Sequence, residues 1–428
     1  MTMHRTVLVG GTVVTFNDRE DILPDGVVAC QAGRIAYVGP ASGFAPLPGD
    51  EVIDAGDHLV LPGLINVHTH TAMTYQRGLI EDLPPRQWFA RTAALEAQMS
   101  EDDLYWSALL GCYELIRSGV TCIADRFSHM DVIGEAIDAS GLRAILGPSL
   151  YDIDRRASLS DAVALVKRWG TSPATRISCG LAPVGPDTSS QGLLEDVRAA
   201  ATELGAKIFI HVAQSQDELQ AIKERGADGS ATYLHGLGFL GPDVVAAHCI
   251  YISEAEAAII GQTGTKVAHC PSSNAKIEGR VAPIAALLAH GADIGLGTDS
   301  APSNNTLDFF AELKMAALLN KVTVGQPTAY PIRQILRLAT RGGARVMGLE
   351  AQIGSLEAGK CADIITVDRR GLHLQPPHDI YAHLVYGVGG ADVRDVLVDG
   401  RQLLRGGEFV DADVDEVRRR AASRPRFT

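Results

Sequence analysis

Leu61-Pro-Gly-Leu-Ile-Asn-Val-His-Thr-His70 is a short apolar run that stops at two histidines one residue apart. On a strand, side chains at i and i+2 point the same way, so His68 and His70 can face one bound cation. Three further apolar runs end in a residue able to hold a metal. They are Lys207-Ile-Phe-Ile-His211, Val244-Val-Ala-Ala-His248 and Asp293-Ile-Gly-Leu-Gly-Thr-Asp299. Imidazole nitrogens with one carboxylate suit a zinc or iron ion and leave a position open for water.

Working outward from that run, eight short apolar segments between about residues 60 and 300 are each followed by a segment of helical periodicity. Strands are expected at 64–68, 120–125, 143–149, 177–183, 207–212, 244–248, 266–270 and 293–298. The clearest helix is 101–118, with Ser100 as its N-cap and Gly119 as its stop. Eight strand–helix units predict an α/β fold, a (β/α)8 or TIM barrel, and the C-terminal ends of its strands converge on one mouth. His68, His70, His211, His248 and Asp299 all fall there. Residues 307–320 and 331–348 read as further helices. The runs 6–16, 26–39, 353–368 and 393–404 are strand-like and broken by glycine-containing turns. They predict a small β-sandwich built from both termini: residues 1–57 and 351–428 as the two parts of that domain, 58–350 as the barrel.

The length of 428 residues suits a barrel with an appended small domain, and 46% apolar residues suffice for a large core. A net charge of -13 without a clustered basic stripe argues against nucleic acid and for a small-molecule partner. Seven cysteines without a Cys-x-x-Cys pair suggest free thiols in a reducing compartment. The opening residues 1–10 lack a signal-peptide pattern, and no run approaches membrane-spanning length. A soluble cytoplasmic protein, with no membrane partner, is expected.

Four stretches resemble the amidohydrolase superfamily, in its branch of chlorohydrolases and adenosine-, guanine- and triazine-type aminohydrolases. They are Pro62-Gly-Leu-Ile-Asn-Val-His-Thr-His70, Ala268-His-Cys-Pro-Ser-Ser-Asn274, Gly295-Leu-Gly-Thr-Asp299 with Ser303-Asn-Asn305, and Ile353-Gly-Ser-Leu-Glu-Ala-Gly-Lys-Cys-Ala-Asp363. The likeness continues through His383-Leu-Val-Tyr386 and 392–400. It implies one divalent metal held by His68, His70, His211 and Asp299, zinc being expected and iron(II) the alternative, with a water acidified by the cation. It also implies that His248 contacts that water or the tetrahedral centre, that Asp299 doubles as proton acceptor, that His269 supports the site indirectly, and that the protein is a homo-oligomer, expected as a dimer.

Several positions depart from that pattern. The deaminases carry a glutamate proton shuttle three residues after the third histidine ligand; here that position is Gln214, whose carboxamide cannot take a proton at neutral pH. Either Glu218 or Asp217 reaches back, or Asp299 and His248 do all the proton work, or the activity is lost. Gln214 itself would then orient substrate or lie solvated. A ribose-gripping glutamate is replaced by Gln87, a histidine after the fourth strand by Val184, and an arginine near the end of the third by Pro148. Losing these groups favours a small, flat heterocycle over a thioether nucleoside. Trp88 and Phe89 would stack on a ring or pack a lid. Arg126 would meet an anionic substrate group or a structural carboxylate, His129 is a further mouth candidate, and Asn304 is an expected substrate contact. The reading is a metal-dependent hydrolase of carbon–nitrogen bonds, an aminohydrolase of a purine-, pterin- or triazine-like ring. The alternatives are cyclic-amide or carbon–halogen hydrolysis, and a non-catalytic ligand-binding barrel.

Overall fold

The computed structural model describes residues 5–152 and 158–423, so the first four of the opening residues lie outside it. The barrel strands are β1 (Leu64–His70), β2 (Val120–Phe127), β3 (Arg143–Leu150), β4 (Ile177–Cys179, continued at Ala182–Pro183), β5 (Ile208–Val212), β6 (Val244–His248), β7 (Lys266–His269) and β8 (Ile294–Leu296, continued at Asp299–Ser300). Every ladder between neighbours is parallel. A single bridge, Leu181 to Ile208, joins β4 to β5, and Asp299–Ser300 pairs with Thr69–His70, so the eighth strand returns to the first. Strands covered on both faces need apolar residues throughout, and β1, β2, β3, β5 and β6 are buried along their whole length. That is why they read as continuous runs.

Inside the barrel Ile65, Val67, Cys122, Ile145, Phe209, Val245 and Ala268 form one cluster, and a larger one fills the layer between strands and helices. The helix Glu101–Arg117 starts on a capping box: Ser100 accepts from the Asp103 amide while the Asp103 carboxylate accepts from that of Ser100. The second expected late helix is two, Ile332–Leu338 and Arg341–Met347, parted at Thr340 with φ −125° and ψ −100°. All seven cysteines are buried and unpaired. Among the described residues no helix is long and apolar enough to cross a membrane.

Nine strands from both ends of the chain form a second sheet, in which His58–Pro62 pairs with Arg5–Val14 on one side and Ile364–Asp368 on the other. Its outer strand Arg34–Pro40 is tied back to the C-terminal half, Ile35 donating to the Lys360 carbonyl and Gly359 to that of Ile35, both at 2.8 Å. The sheet therefore encloses its own cluster of Leu8, Val13, Val28, Ile35, Ile364 and Leu397. The chain enters the barrel through Gly63, where a Cβ would come 2.0 Å from the Thr121 hydroxyl oxygen, so only glycine lets β1 begin there.

Below the strands, Arg143 at the start of β3 clamps the two layers. Its Nε donates to Asp363 Oδ2 at 2.8 Å, its Nη2 to Asp363 Oδ1 at 3.1 Å and also to Asp399. Both carboxylates come from the terminal sheet, and Asp363 Oδ1 also accepts the Asp399 amide at 2.9 Å.

Candidate active site

The mouth is made at strand ends, and two of them turn through backbone that side chains rarely adopt. His248 has φ +72° and Asp299 φ +57°. Such conformations cost of order 1–3 kcal/mol each and persist where the surroundings fix them. At β8 the cause is visible. The ladder to β7 ends at Gly297, whose amide donates to the His269 carbonyl, and the ladder to β1 starts two residues on. Asn66 of β1 fills the gap, accepting the Thr298 amide at 3.1 Å and donating to its hydroxyl at 2.8 Å. A Cβ on Gly297 would meet the His68 carbonyl oxygen at 2.8 Å, so the glycine lets β8 press against the first ligand strand.

His68, His70, His211, His248 and Asp299 are all brought together, each with less than 9% of its surface exposed. Asp299 Oδ1 lies 3.2 Å from His70 Nε2 and 3.7 Å from His68 Nε2. The His68 ring centre is 4.8 Å from that of His70, 5.1 Å from His211 and 5.3 Å from His248. One nitrogen or oxygen from each of His68, His70 and Asp299, and likewise of His68, His211 and His248, lies within 4.8 Å of the others. His248 is thus as near to the cluster as the expected ligands are.

The donor set fits a divalent cation. His70 Nδ1 is bonded to the Arg126 carbonyl and His248 Nδ1 to Asn274 Oδ1 at 2.9 Å. A carbonyl can only accept, so His70 carries a proton on Nδ1 and turns Nε2 toward the Asp299 carboxylate, where a divalent cation could lie between them. His68 Nε2 and His248 Nε2 are buried with no hydrogen-bond partner among the described residues. Burial, reinforced by neighbouring positive groups, holds His68 and His211 well below the usual imidazole range, and burial lowers His248 too. All three are neutral ligands or bases at neutral pH. Burial would push Asp299 up, but the contact with His70 and the surrounding imidazoles hold it well below the usual carboxylate range. Its Oδ2 accepts from the Ser273 hydroxyl.

A cavity of about 360 Å³ opens over this cluster, lined by Trp88, Arg126, Val184, His211, Gln214 and Asp299 among others. A second lobe of about 460 Å³ adjoins it and shares Phe89, Val184, Thr188, His211 and Gln214, so these residues form a waist. Trp88 lines the first lobe and also packs with Ile80 and Leu95, so the helix Pro85–Glu96 is a lid with an aromatic underside.

The remaining expected residues divide. Gln87 is exposed, one position round that helix from Trp88. Asn304 donates to the Thr298 carbonyl and to Glu312, both at 2.9 Å, and is not among the lining residues. His129 is exposed as the N-cap of the helix Met130–Ser140, and Pro148 is buried in β3. Glu218 does not reach the cluster: its carboxylate accepts the Ala213 and Gln214 amides at 2.6 and 2.7 Å and the Ser230 hydroxyl at 2.6 Å. Asp217 is exposed in the second lobe. His269 is fully buried, and burial draws it down to about 3. The sequence reading passed over Asn66 and the roles of Ser273 and Asn274. The last two stand in the quoted His-Cys-Pro-Ser-Ser-Asn stretch, whose polar residues after an apolar strand were the available signal.

Comparison with known proteins identifies the family. The pattern of the amidohydrolase family matches residues 59–403. A 5-methylthioadenosine/S-adenosylhomocysteine deaminase of Moorella thermoacetica is 42% identical over 400 residues, 92% of this chain and 94% of the relative. A 5'-deoxyadenosine deaminase of Methanosarcina acetivorans is 39% identical over 420 residues, 97% of this chain and 96% of its own. The crystal structure of an adenosine deaminase from Xanthomonas campestris with bound zinc superposes with a TM-score of 0.93 at 31% identity, covering 97% of both chains. An atrazine chlorohydrolase from Arthrobacter aurescens, complexed with zinc, shares the fold at a TM-score of 0.91 and 23% identity, covering 98% and 99%. The chain belongs to the amidohydrolase family and is a hydrolase of carbon–nitrogen bonds.

Proposed function

We propose that this protein is a mononuclear, zinc-dependent aminohydrolase that releases ammonia from a small, flat nitrogen heterocycle of purine-like size. The carrying observation is the cluster of four imidazoles and one carboxylate at barrel strand ends, with buried Nε2 atoms that only a cation or a reacting group would satisfy. His68, His70, His211 and Asp299 would hold the ion, which when bound supplies a water acidified toward neutrality.

The chain's own groups carry the rest. Asp299, ionised at every working pH, takes the proton of the attacking water. His248, neutral and steered by Asn274 through Nδ1, presents Nε2 to the oxygen that adds to the ring carbon. Gln214 at the waist can orient the ring through its carboxamide but cannot carry a proton. Glu218 does not replace it, since both its oxygens are already taken by main-chain amides. The proton work therefore falls to Asp299 and His248. Trp88 and Phe89, set edge to face at 89°, supply apolar surface against which a ring packs.

Val184 at the waist and the outward-facing Gln87 support a base rather than a thioether nucleoside as substrate. Seven buried, unpaired thiols suit the reducing cytoplasm, and a homodimer is the expected working form. Elemental analysis followed by an ammonia-release screen over aminated purines, pyrimidines, pterins and triazines tests the proposal. About one equivalent of zinc with ammonia release is expected. Metal without ammonia would favour ring opening or dehalogenation, and no metal would end the mechanism.

A further inference from the structure

A buried arginine is costly unless its nitrogens meet oxygens. Arg126, near the end of β2, is 8% exposed and stands in the wall of the first lobe beside His70, Asp299, Ser149 and Tyr151. Its main-chain carbonyl is committed to His70, which fixes where the side chain starts. Its Nε is buried and has no hydrogen-bond partner among the described residues. An arginine guanidinium is a cation at neutral pH. A fixed positive fork with an unused N–H thus borders the space where the ring must lie.

The two lobes differ in charge. Around the second stand the carboxylates of Asp187, Asp217 and Glu278 with Arg86, a wall that does not favour an oxygen-rich edge. The first is otherwise apolar or weakly polar, with Met73, Ala93, Phe127 and Val184 around Arg126 and a single carboxylate, Glu96, besides Asp299. An oxygen-bearing substrate edge is therefore directed toward Arg126.

We infer that Arg126 sets substrate choice: its guanidinium grips a ring oxo group on the heterocycle whose amino-bearing carbon lies at His211 and Asp299. Its N–H groups meet the lone pairs of the oxo oxygen, and the pairing strengthens if the neighbouring ring nitrogen loses its proton and becomes a second acceptor. The inference rests on the aminohydrolase reading for the position of the amino group, but the binding it describes does not require turnover.

The experiment uses zinc-loaded enzyme and two pairs of probes that differ by the oxo group: 2-aminopurine with guanine, and 2-aminopyrimidine with isocytosine. Both kcat/KM for ammonia release and Kd by calorimetry are measured for the native protein, Arg126→Met and Arg126→Lys. The native protein should prefer the oxo member of at least one pair by about 100-fold or more, since sites built around a hydrogen bond reject a ligand that lacks it by up to about 10⁴–10⁵-fold. Arg126→Met should erase that ratio with zinc content and melting temperature retained. Arg126→Lys should restore part of it, since it keeps the charge but loses the fork, and it carries the test if the methionine variant does not fold. Equal binding of both members, no binding of either, or a ratio unmoved by both variants would overturn the inference. A preference in Kd without any ammonia release would leave Arg126 in this role and remove the aminohydrolase reading instead.

Discussion

Arg143 and Arg126 enter the same barrel on adjacent strands and lie toward opposite ends of it. Arg143, 1% exposed, has its Nε and Nη2 bonded to carboxylates of the terminal sheet, and those partners hold its charge firmly on. Arg126 is buried almost as deeply, its Nε has no partner among the described residues, and its neighbours fail to offset the burial. The difference teaches how polar groups inside one barrel divide their work. At the base Arg143 and its two carboxylates satisfy each other and hold two layers together. At the mouth Arg126 Nε, His68 Nε2 and His248 Nε2 have no partner among the described residues, and an ion or a ligand would complete them.

The sharpest way to break this contrast is Asp299→Asn. It should lower kcat/KM by about 10⁴-fold or more, since the residue is proposed to serve both ion and proton, while the melting temperature in the absence of metal stays level or rises. Ammonia release and calorimetry would check both; a stable, active variant would refute the division. At the base the signs reverse. Arg143→Met should cost about 3–5 kcal/mol in urea unfolding by leaving Asp363 and Asp399 without their cation, yet the zinc content of the folded fraction should be unchanged.

A pH series sharpens the comparison further. Burial raises Glu218, under the Gln214 turn, and Glu312, under Asn304, each to about 7. A folded-state value above the unfolded one means that their contribution is complete below about pH 4.5 and is lost as pH rises through about 7. Stability should therefore decline between pH 5 and 8, and Glu218→Gln should shrink that decline by roughly 2 kcal/mol in urea melts at the two pH values. A steeper decline in the variant would reverse the assignment. The smallest effect belongs to Asn274→Ala, which frees the His248 ring. A loss of about 10- to 100-fold in kcat with zinc retained is expected, and metal loss instead would make His248 a ligand.

What could be read in the sequence follows from what each feature depends on. The barrel strands are local apolar runs, and a histidine at the end of such a run is visible without knowing its partners. Asp299 was legible for the same reason, because Gly295-Leu-Gly-Thr precedes it. Asn66 was not: its partner Thr298 is 232 residues away, and nothing in its own segment distinguishes a seam residue from an ordinary strand asparagine. Gln87 and Trp88 show the limit at single-residue scale, since a helix turns adjacent side chains about 100° apart and sends one under the lid and the other into solvent. Asn304 lies near the mouth in sequence, but its amide closes a turn onto Glu312, a pairing that spacing alone does not announce.

The seam between β8 and β1 has a consequence for how the protein is made. Thr69 and Asp299 meet across 230 residues of chain, so the pocket for the ion does not exist until nearly three quarters of the polypeptide has been synthesised. At 5–20 residues per second this is roughly 10–50 s during which the His68–His70 pair has left the ribosome without its carboxylate. A two-histidine fragment binds copper or nickel at least as readily as zinc. The order of synthesis thus exposes the histidine pair to other metals before the carboxylate of the finished site arrives.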